Sequence, residues 1–136
     1  FMTTAEILKM NGIKPSVIRI KVYEYLRGTK SHPTADEIYN ELNPKIPTLS
    51  KTSVYNTVKL LVDAGLSKNL TIDGSQTRYD ADTSVHGHFW CKKCRRVFDF
   101  DVSETLGGEL DGFVVEFKEL YFGGLCRSCA AYEDKN

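Results

Sequence analysis

Long apolar runs are missing from this chain. The longest falls far short of the ~20 residues needed to span a bilayer, and the start lacks the charged-then-apolar pattern of a secretory signal. Net charge is missing too: 18 Lys and Arg offset 18 Asp and Glu among 136 residues. Cysteine is scarce and none is left over. All four fall in two Cys-x-x-Cys pairs, so neither a disulfide framework nor secretion need be invoked. Internal repeats and low-complexity stretches are absent. So are His-Glu-x-x-His and the combination of His-x-Glu with Pro-Cys-x-x-Cys, the marks of zinc hydrolysis and base deamination. The expectation is a cytoplasmic chain that is not an enzyme. Its hydrophobic fraction of 41% suffices for a folded core, and its length allows one ordinary domain or two small ones.

The charges that are present are unevenly placed. Residues 1–80 carry 11 basic against 8 acidic side chains, while residues 81–136 carry 7 against 10. A basic half joined to an acidic one suits a nucleic-acid reader attached to something else, although three charges is an excess that chance also produces.

Helical stripes fill the first half. Thr3 to Met10 predicts a short helix stopped at Asn11-Gly12. Ser16 to Arg27 aligns Ile18, Val22, Tyr25 and Leu26, with Gly28 as terminator. Thr34 to Leu42 opens on a capping box, Thr34-Ala-Asp-Glu37, and aligns Ala35, Ile38, Tyr39 and Leu42. Ser50 to Ala64, capped by Ser50 and stopped by Gly65, buries Val54, Val58, Leu61 and Val62. Its other face shows Thr52, Ser53, Asn56 and Lys59, with Tyr55 on the flank. Such side chains bond phosphates and base edges in a major groove; a plain solvated face is the competing reading. Leu66, Leu70 and Ile72 then lead into Asp73-Gly74, a hairpin turn, and Thr77 to Tyr79 returns. Helices, a polar-faced helix and a two-stranded ribbon make a winged helix-turn-helix, whose last helix enters the groove.

The second half changes character. His86 to Trp90 and Val97 to Phe100 read as strands around the first cysteine pair, Ser103 to Leu110 as a short helix, and Phe113 to Phe122 as a strand. The small, polar residues 80–85 make the hinge. Cys91, Cys94, Cys126 and Cys129 form the ligand set of a closed, tetrahedral zinc site, with redox chemistry the lesser option for paired cysteines. His86 and His88 stand two apart in a strand and so share a face, whereas Cys91 lies an odd number of residues away. One strand can therefore serve two metal sites, with Asp80, Asp82, Asp99 and Asp101 as nearby carboxylates. Imidazoles with carboxylates suit iron, manganese, zinc, nickel or cobalt. Surface histidines remain the alternative for His86 and His88, and the favoured one for His32.

Five stretches carry a resemblance that runs from end to end: His32-Pro-Thr-Ala-Asp-Glu-Ile-Tyr39, Thr52-Ser-Val-Tyr-Asn-Thr57, Ser75-Gln-Thr-Arg-Tyr-Asp80, His86-Gly-His-Phe-Trp-Cys-Lys-Lys-Cys94 with Val97-Phe-Asp99, and Leu125-Cys-Arg-Ser-Cys129. The chain resembles the ferric uptake regulator (Fur) family of metal-dependent bacterial repressors, and within it the peroxide-sensing (PerR) branch. The resemblance implies an α+β architecture: a winged-helix DNA-binding domain over residues 1–80, a hinge at 81–85, and an α/β dimerisation domain over 86–136 that holds one structural Zn2+. It implies a regulatory Fe2+ or Mn2+ bound by His32, Asp80, His86, His88 and Asp99, a homodimer, and an operator of inverted-repeat double-stranded DNA. In iron sensors of the family the Asp99 position is usually Glu, and in zinc sensors the Asp80 position is usually Cys. A further metal site of many relatives uses the positions of Val85 and Gly87, which cannot ligate here, so that site is expected to be absent.

Peroxide sensing, on this resemblance, means that ferrous iron reacts with hydrogen peroxide and a ligand imidazole, His32 or His86, is oxidised; manganese gives an insensitive repressor, and the cysteines do not sense. The alternative is a repressor that senses iron level without histidine oxidation. Expected DNA contacts are Thr52, Ser53, Tyr55 and Asn56, with Lys51 and Lys59 near phosphates. Lys14 and Arg19 match basic positions of relatives, and Arg78 in the wing either joins them or pairs with a local acid.

Overall fold

The computed structural model describes residues 2–71, 76–84, 86–101, 108–115 and 119–134. The chain divides into two compact units, Phe1–Thr83 and Ser84–Asn136, the division falling inside the small polar stretch at 81–85.

In the first unit, four helices precede a hairpin: α1 (Thr4–Met10), α2 (Val17–Gly28), α3 (Ala35–Leu42), α4 (Lys51–Asp63), β1 (Lys68–Leu70) and β2 (Arg78–Asp80). Each helix starts where a side-chain oxygen can cap its free N–H groups. Thr3, Ser16, Thr34 and Ser50 accept from the backbone N–H of Glu6, Arg19, Glu37 and Ser53. Complete capping boxes form at α1 and α4; at α3 it is the Thr34 arm that caps. Gly12 (φ +76°) and Gly65 (φ +77°) end α1 and α4 in the left-handed region, as their positions predict.

The core of this unit is Leu8, Val22, Leu26, Ile38, Val54, Val58 and Leu61, with Ile13, Tyr23 and Leu42 around them. Each such aliphatic side chain contributes roughly 1.5–3 kcal/mol by leaving water. Two stripe positions differ from expectation: Tyr23 rather than Tyr25 is buried on α2, and Thr57 rather than Val62 on α4. Thr57 tolerates burial because its hydroxyl donates to Ser53 O at 2.7 Å. β1 and β2 pair antiparallel, Lys68 opposite Asp80 and Leu70 opposite Arg78. The Asp73-Gly74 turn lies outside the described residues.

The second unit is a three-stranded sheet in the order β4-β3-β5, followed by a helix. β3 (His86–Cys91) pairs antiparallel with β4 (Val97–Asp101) and parallel with β5 (Leu120–Gly124). The pleat turns His86, His88 and Trp90 to one face and Gly87, Phe89 and Cys91 to the other. Gly87 is needed in mid-strand because the Phe100 ring occupies the space its Cβ would take; Phe100 in turn stacks on Phe122 at 5.3 Å.

The C-terminal part of this unit departs from expectation. The long strand over Phe113–Phe122 is instead β5 at Leu120–Gly124, since Phe113–Val115 is irregular and exposed and residues 116–118 lie outside the description. Of the helix expected over Ser103–Leu110, the described residues form a 3₁₀ turn at Gly108–Leu110, and residues 103–107 lie outside the description. An unanticipated helix, α5 (Arg127–Asp134), carries Cys129.

Candidate metal centres and nucleic-acid face

Cys91 ends β3, Cys94 lies in the following turn, Cys126 precedes α5 and Cys129 sits in its first turn. Their sulfurs lie within 4.8 Å of one another. Four sulfurs around a tetrahedral zinc at ~2.3 Å stand about 3.8 Å apart; Cys94 Sγ and Cys126 Sγ are 3.9 Å apart, far too long for a disulfide. The Cys126 N–H points at Cys91 Sγ at 3.4 Å. Burial opposes ionisation of Cys91, but backbone N–H groups of Cys126, Cys94 and Lys93 outweigh it and hold the thiol down to about 5. Burial and the sulfurs of Cys126, Cys91 and Cys94 push Cys129 up to about 12. One sulfur is thus ready as a thiolate while its neighbour resists becoming another. A dication is what allows all four to ionise together, so the donor set, the spacing and the closed geometry fit structural zinc. The ion pair of Lys93 Nζ with Glu133 Oε1 (2.6 Å) and the Lys93 ammonium 4.5 Å from the Tyr132 ring centre clasp the first knuckle to α5.

On the other face of β3, a second ligand set assembles within the same unit. His88 Nδ1 lies 2.9 Å and His86 Nε2 3.6 Å from Asp99 Oδ1. Asp99 reaches both because it stands opposite His88 in the β3–β4 register. His86 Nδ1 lies 2.8 Å from the Ser84 carbonyl. A carbonyl oxygen only accepts, so Nδ1 carries the proton, and in the neutral ring the Nε2 lone pair faces Asp99. That is the outer-sphere arrangement of metal-binding histidines. Tyr121, opposite His88 on β5, stacks on its ring at 5.9 Å.

The first unit holds a His–Asp pair of its own. His32 Nε2 is 3.4 Å from Asp80 Oδ2, and His32 is only 3% exposed. Its backbone is left-handed at φ +53°, a conformation that costs a non-glycine residue roughly 1–2 kcal/mol. β2 holds it there. The Arg78 guanidinium donates to His32 O at 3.1 Å, Tyr79 N–H donates to Pro33 O at 2.9 Å, and Thr34 bridges Arg78. Asp80 is fixed in turn by Asp82 N–H to its Oδ1 (2.9 Å) and by the Ser67 hydroxyl to its carbonyl (3.1 Å). A strained backbone maintained to aim a buried imidazole at a carboxylate points to function more than to packing. Asp82 contributes its backbone to this arrangement, and His32 is not the surface histidine that its isolation in the sequence favoured.

On α4, Lys51, Thr52, Tyr55, Asn56 and Lys59 are exposed together. Ser53 is half-buried and its hydroxyl is engaged with Ser50 in the capping box, which leaves it less to offer a base. Lys59 pairs with Asp63 at 3.0 Å. Lys14 is exposed, and Arg19 donates to its carbonyl at 2.8 Å, so Arg19 steadies the loop that presents Lys14. Arg78 is 9% exposed and its guanidinium donates to the His32 carbonyl, a role that neither expectation named. Sequence reasoning missed Asp36. Its carboxylate accepts from the Tyr55 hydroxyl at 3.0 Å and lies 3.9 Å from Lys51 Nζ. Asp36 lies in the first turn of α3 and meets α4 only in the folded unit, which spacing along the chain does not reveal.

The model of the ferric uptake regulator family matches residues 10–109. The chain belongs to that family. The peroxide operon regulator of Bacillus subtilis is 36% identical over 134 residues, covering 95% of this chain and 92% of that protein. The peroxide-responsive repressor PerR of Staphylococcus epidermidis is 35% identical, covering 90% and 85%. Among solved structures, PerR from Streptococcus pyogenes, described for peroxide sensing and gene regulation, is 30% identical with a TM-score of 0.54 over 94% of each chain. The ferric uptake regulator of Pseudomonas aeruginosa with manganese has a TM-score of 0.74 at 21% identity, covering 93% of this chain and 99% of that one, a likeness of fold.

Proposed function

We propose that this protein is a metal-dependent, DNA-binding transcriptional repressor that senses peroxide through a regulatory Fe/Mn site at the hinge. Residues 1–80 form the DNA-binding head, 81–85 the hinge, and 86–136 the dimerisation and metal-binding domain. The observation that carries the reading is the division of histidine–carboxylate ligands between the units: His32 with Asp80 in one, His86 and His88 with Asp99 in the other. Two histidines and one carboxylate with open positions are the donor set of non-haem ferrous sites. The second set thus suits iron or manganese and is completed by two more ligands.

A bound ion supplies what neither unit has alone, a reason to hold one relative orientation. A ligand shifts an equilibrium only by its differential affinity for the two states, and an ion that needs all five residues has that difference built in. The chain's own residues do the rest. The Ser84 carbonyl sets the His86 tautomer, β2 holds His32 in its strained backbone, and Asp99 bridges the two strand histidines. A ferrous ion held by these groups would supply the one-electron chemistry that lets hydrogen peroxide oxidise a ligand imidazole, His32 or His86. An oxidised imidazole is a poor donor, so the ligand set loses a member and the orientation is released.

The cysteine site takes one zinc per chain as a structural clamp. A homodimer is supported by the apolar surface of the second unit, where Phe113, Val114 and Phe122 are 67%, 88% and 55% exposed. DNA contact falls to Lys51, Thr52, Tyr55, Asn56 and Lys59 of α4, with Lys14 and Arg19 as supports and Ser53 through its cap. Cytoplasmic location accords with the absence, among the described residues, of a helix long and apolar enough to cross a membrane.

Mass spectrometry of the iron-loaded protein after peroxide tests this reading against an iron-level sensor. A gain of one oxygen atom on a peptide holding His32 or His86, with loss of DNA binding, is expected. Intact histidines with DNA binding retained would leave the iron-level sensor instead.

A further inference from the structure

The α4 face has an acidic neighbour that a surface built only for phosphate would avoid. Asp36, exposed in the first turn of α3, places Oδ1 3.0 Å from the Tyr55 hydroxyl and 3.9 Å from Lys51 Nζ. Lys51 also lies 5.8 Å from the centre of the Tyr39 ring, a second contact that keeps its ammonium on the protein. Tyr55 is 48% exposed, and its bond to Asp36 fixes the hydroxyl end of the ring over the face.

Resting on the DNA-binding reading above, we propose that Asp36 is a specificity-determining residue: it holds the Tyr55 ring in reading position and restrains Lys51 from binding phosphate indiscriminately. The physical argument has two parts. An aromatic side chain ordered before binding loses less freedom when it meets a base edge, and the saving accrues only where the ring finds its partner. A carboxylate at the rim repels every phosphate equally, whatever the sequence, and thereby lowers non-specific affinity. Both effects widen the gap between the right site and all others. The Tyr55 phenol is raised in pKa first by its hydrogen bond to Asp36, in keeping with a proton donated to the carboxylate.

Two substitutions separate the parts. Asp36→Asn removes the charge and keeps an acceptor; Asp36→Ala removes both. The probes are duplexes selected by the wild-type protein from a randomised pool, loaded with zinc and manganese, and a scrambled duplex of the same composition. Both variants should bind the scrambled duplex more tightly than wild type at low salt, with a salt slope steeper by about one unit as Lys51 is freed for a phosphate. The ratio of selected to scrambled affinity should fall by about 2- to 10-fold further in Asp36→Ala than in Asp36→Asn, the cost of one side chain left unordered. Tyr55→Phe should lower that ratio in wild type and have no further effect in Asp36→Ala. Thermal melting of both variants checks that α3 is intact.

An unchanged ratio in Asp36→Ala, or an equal Tyr55→Phe effect in both backgrounds, overturns the proposal while leaving DNA binding standing. A wild-type protein that shows no salt-dependent affinity for any duplex overturns the DNA-binding reading, and this inference with it.

Discussion

Gly87→Ala tests the packing of the sheet that carries Cys91 and the His86–His88–Asp99 set. A Cβ at position 87 would overlap the Phe100 ring, whose far edge is the part in the way. The ring must tilt, and tilting breaks its stack on Phe122, where the centroids are 5.3 Å apart and the planes 10° from parallel. Overpacking of this kind costs about 1–3 kcal/mol, and an aromatic pair is worth about 0.5–1.5 kcal/mol beyond its buried area. Against this, alanine recovers roughly 0.5–1 kcal/mol of backbone entropy relative to glycine. Phe122 is exposed, so the ring has somewhere to go, and the net loss should be about 1–3 kcal/mol. Urea unfolding of the zinc-loaded protein measures it, followed by the fluorescence of Trp90, the single tryptophan, three residues along the same strand. Gly123→Ala is the control. Its Cβ would meet the Trp90 carbonyl at 3.8 Å, an ordinary contact, so little stability should be lost. In a Phe100→Ala background the Gly87→Ala penalty should vanish. Equal midpoints for Gly87→Ala and Gly123→Ala, or a penalty that persists without the ring, would refute the reasoning.

Two further outcomes concern α4. Lys59→Ala should weaken binding to all duplexes and flatten the salt slope by about one unit, read from affinity against salt concentration, whereas Lys51→Ala should do so on the selected duplex and change the scrambled one little, where Asp36 restrains that ammonium; a slope that does not change on the selected duplex removes that lysine from the phosphate contacts. Asn56→Ala should cost about 1–3 kcal/mol on the selected duplex and relax base preference at one position. Repeating the selection with the variant checks this, and an unaltered preference removes Asn56 from the reading face.

Much of this molecule is legible in its sequence because local rules settle it. Thr3, Ser16, Thr34 and Ser50 start helices since a side-chain oxygen three residues upstream meets a free N–H, and Cys-x-x-Cys spacing brings two sulfurs to one point wherever the pairs end up. The two-residue period of a strand likewise sends His86 and His88 to one face and Cys91 to the other. What stayed hidden depends on contacts distant in sequence. Phe113–Phe122 has the composition of a strand, yet pairing with β3 begins at Leu120, because register is decided by the partner strand rather than by propensity. That Arg78 also donates to the His32 carbonyl is visible only once β2 is seen lying along the His32 loop. His32, alone in its stretch of sequence, reads as a surface residue; only its burial and left-handed backbone against Asp80 distinguish it. Ser53 has the chemistry of a base reader, but the capping geometry claims its hydroxyl first.

The central claim is that a removable ion, bound by His32, Asp80, His86, His88 and Asp99, sets the orientation in which the protein holds DNA. Its most direct test is metal analysis of the purified protein before and after mild chelation, paired at each stage with affinity for a selected duplex. One zinc per chain should survive chelation, while a second ion and DNA affinity should be lost together and return together when manganese is restored. A chelated protein that keeps its zinc, lacks the second ion and still binds the duplex as tightly as the loaded form would contradict the account.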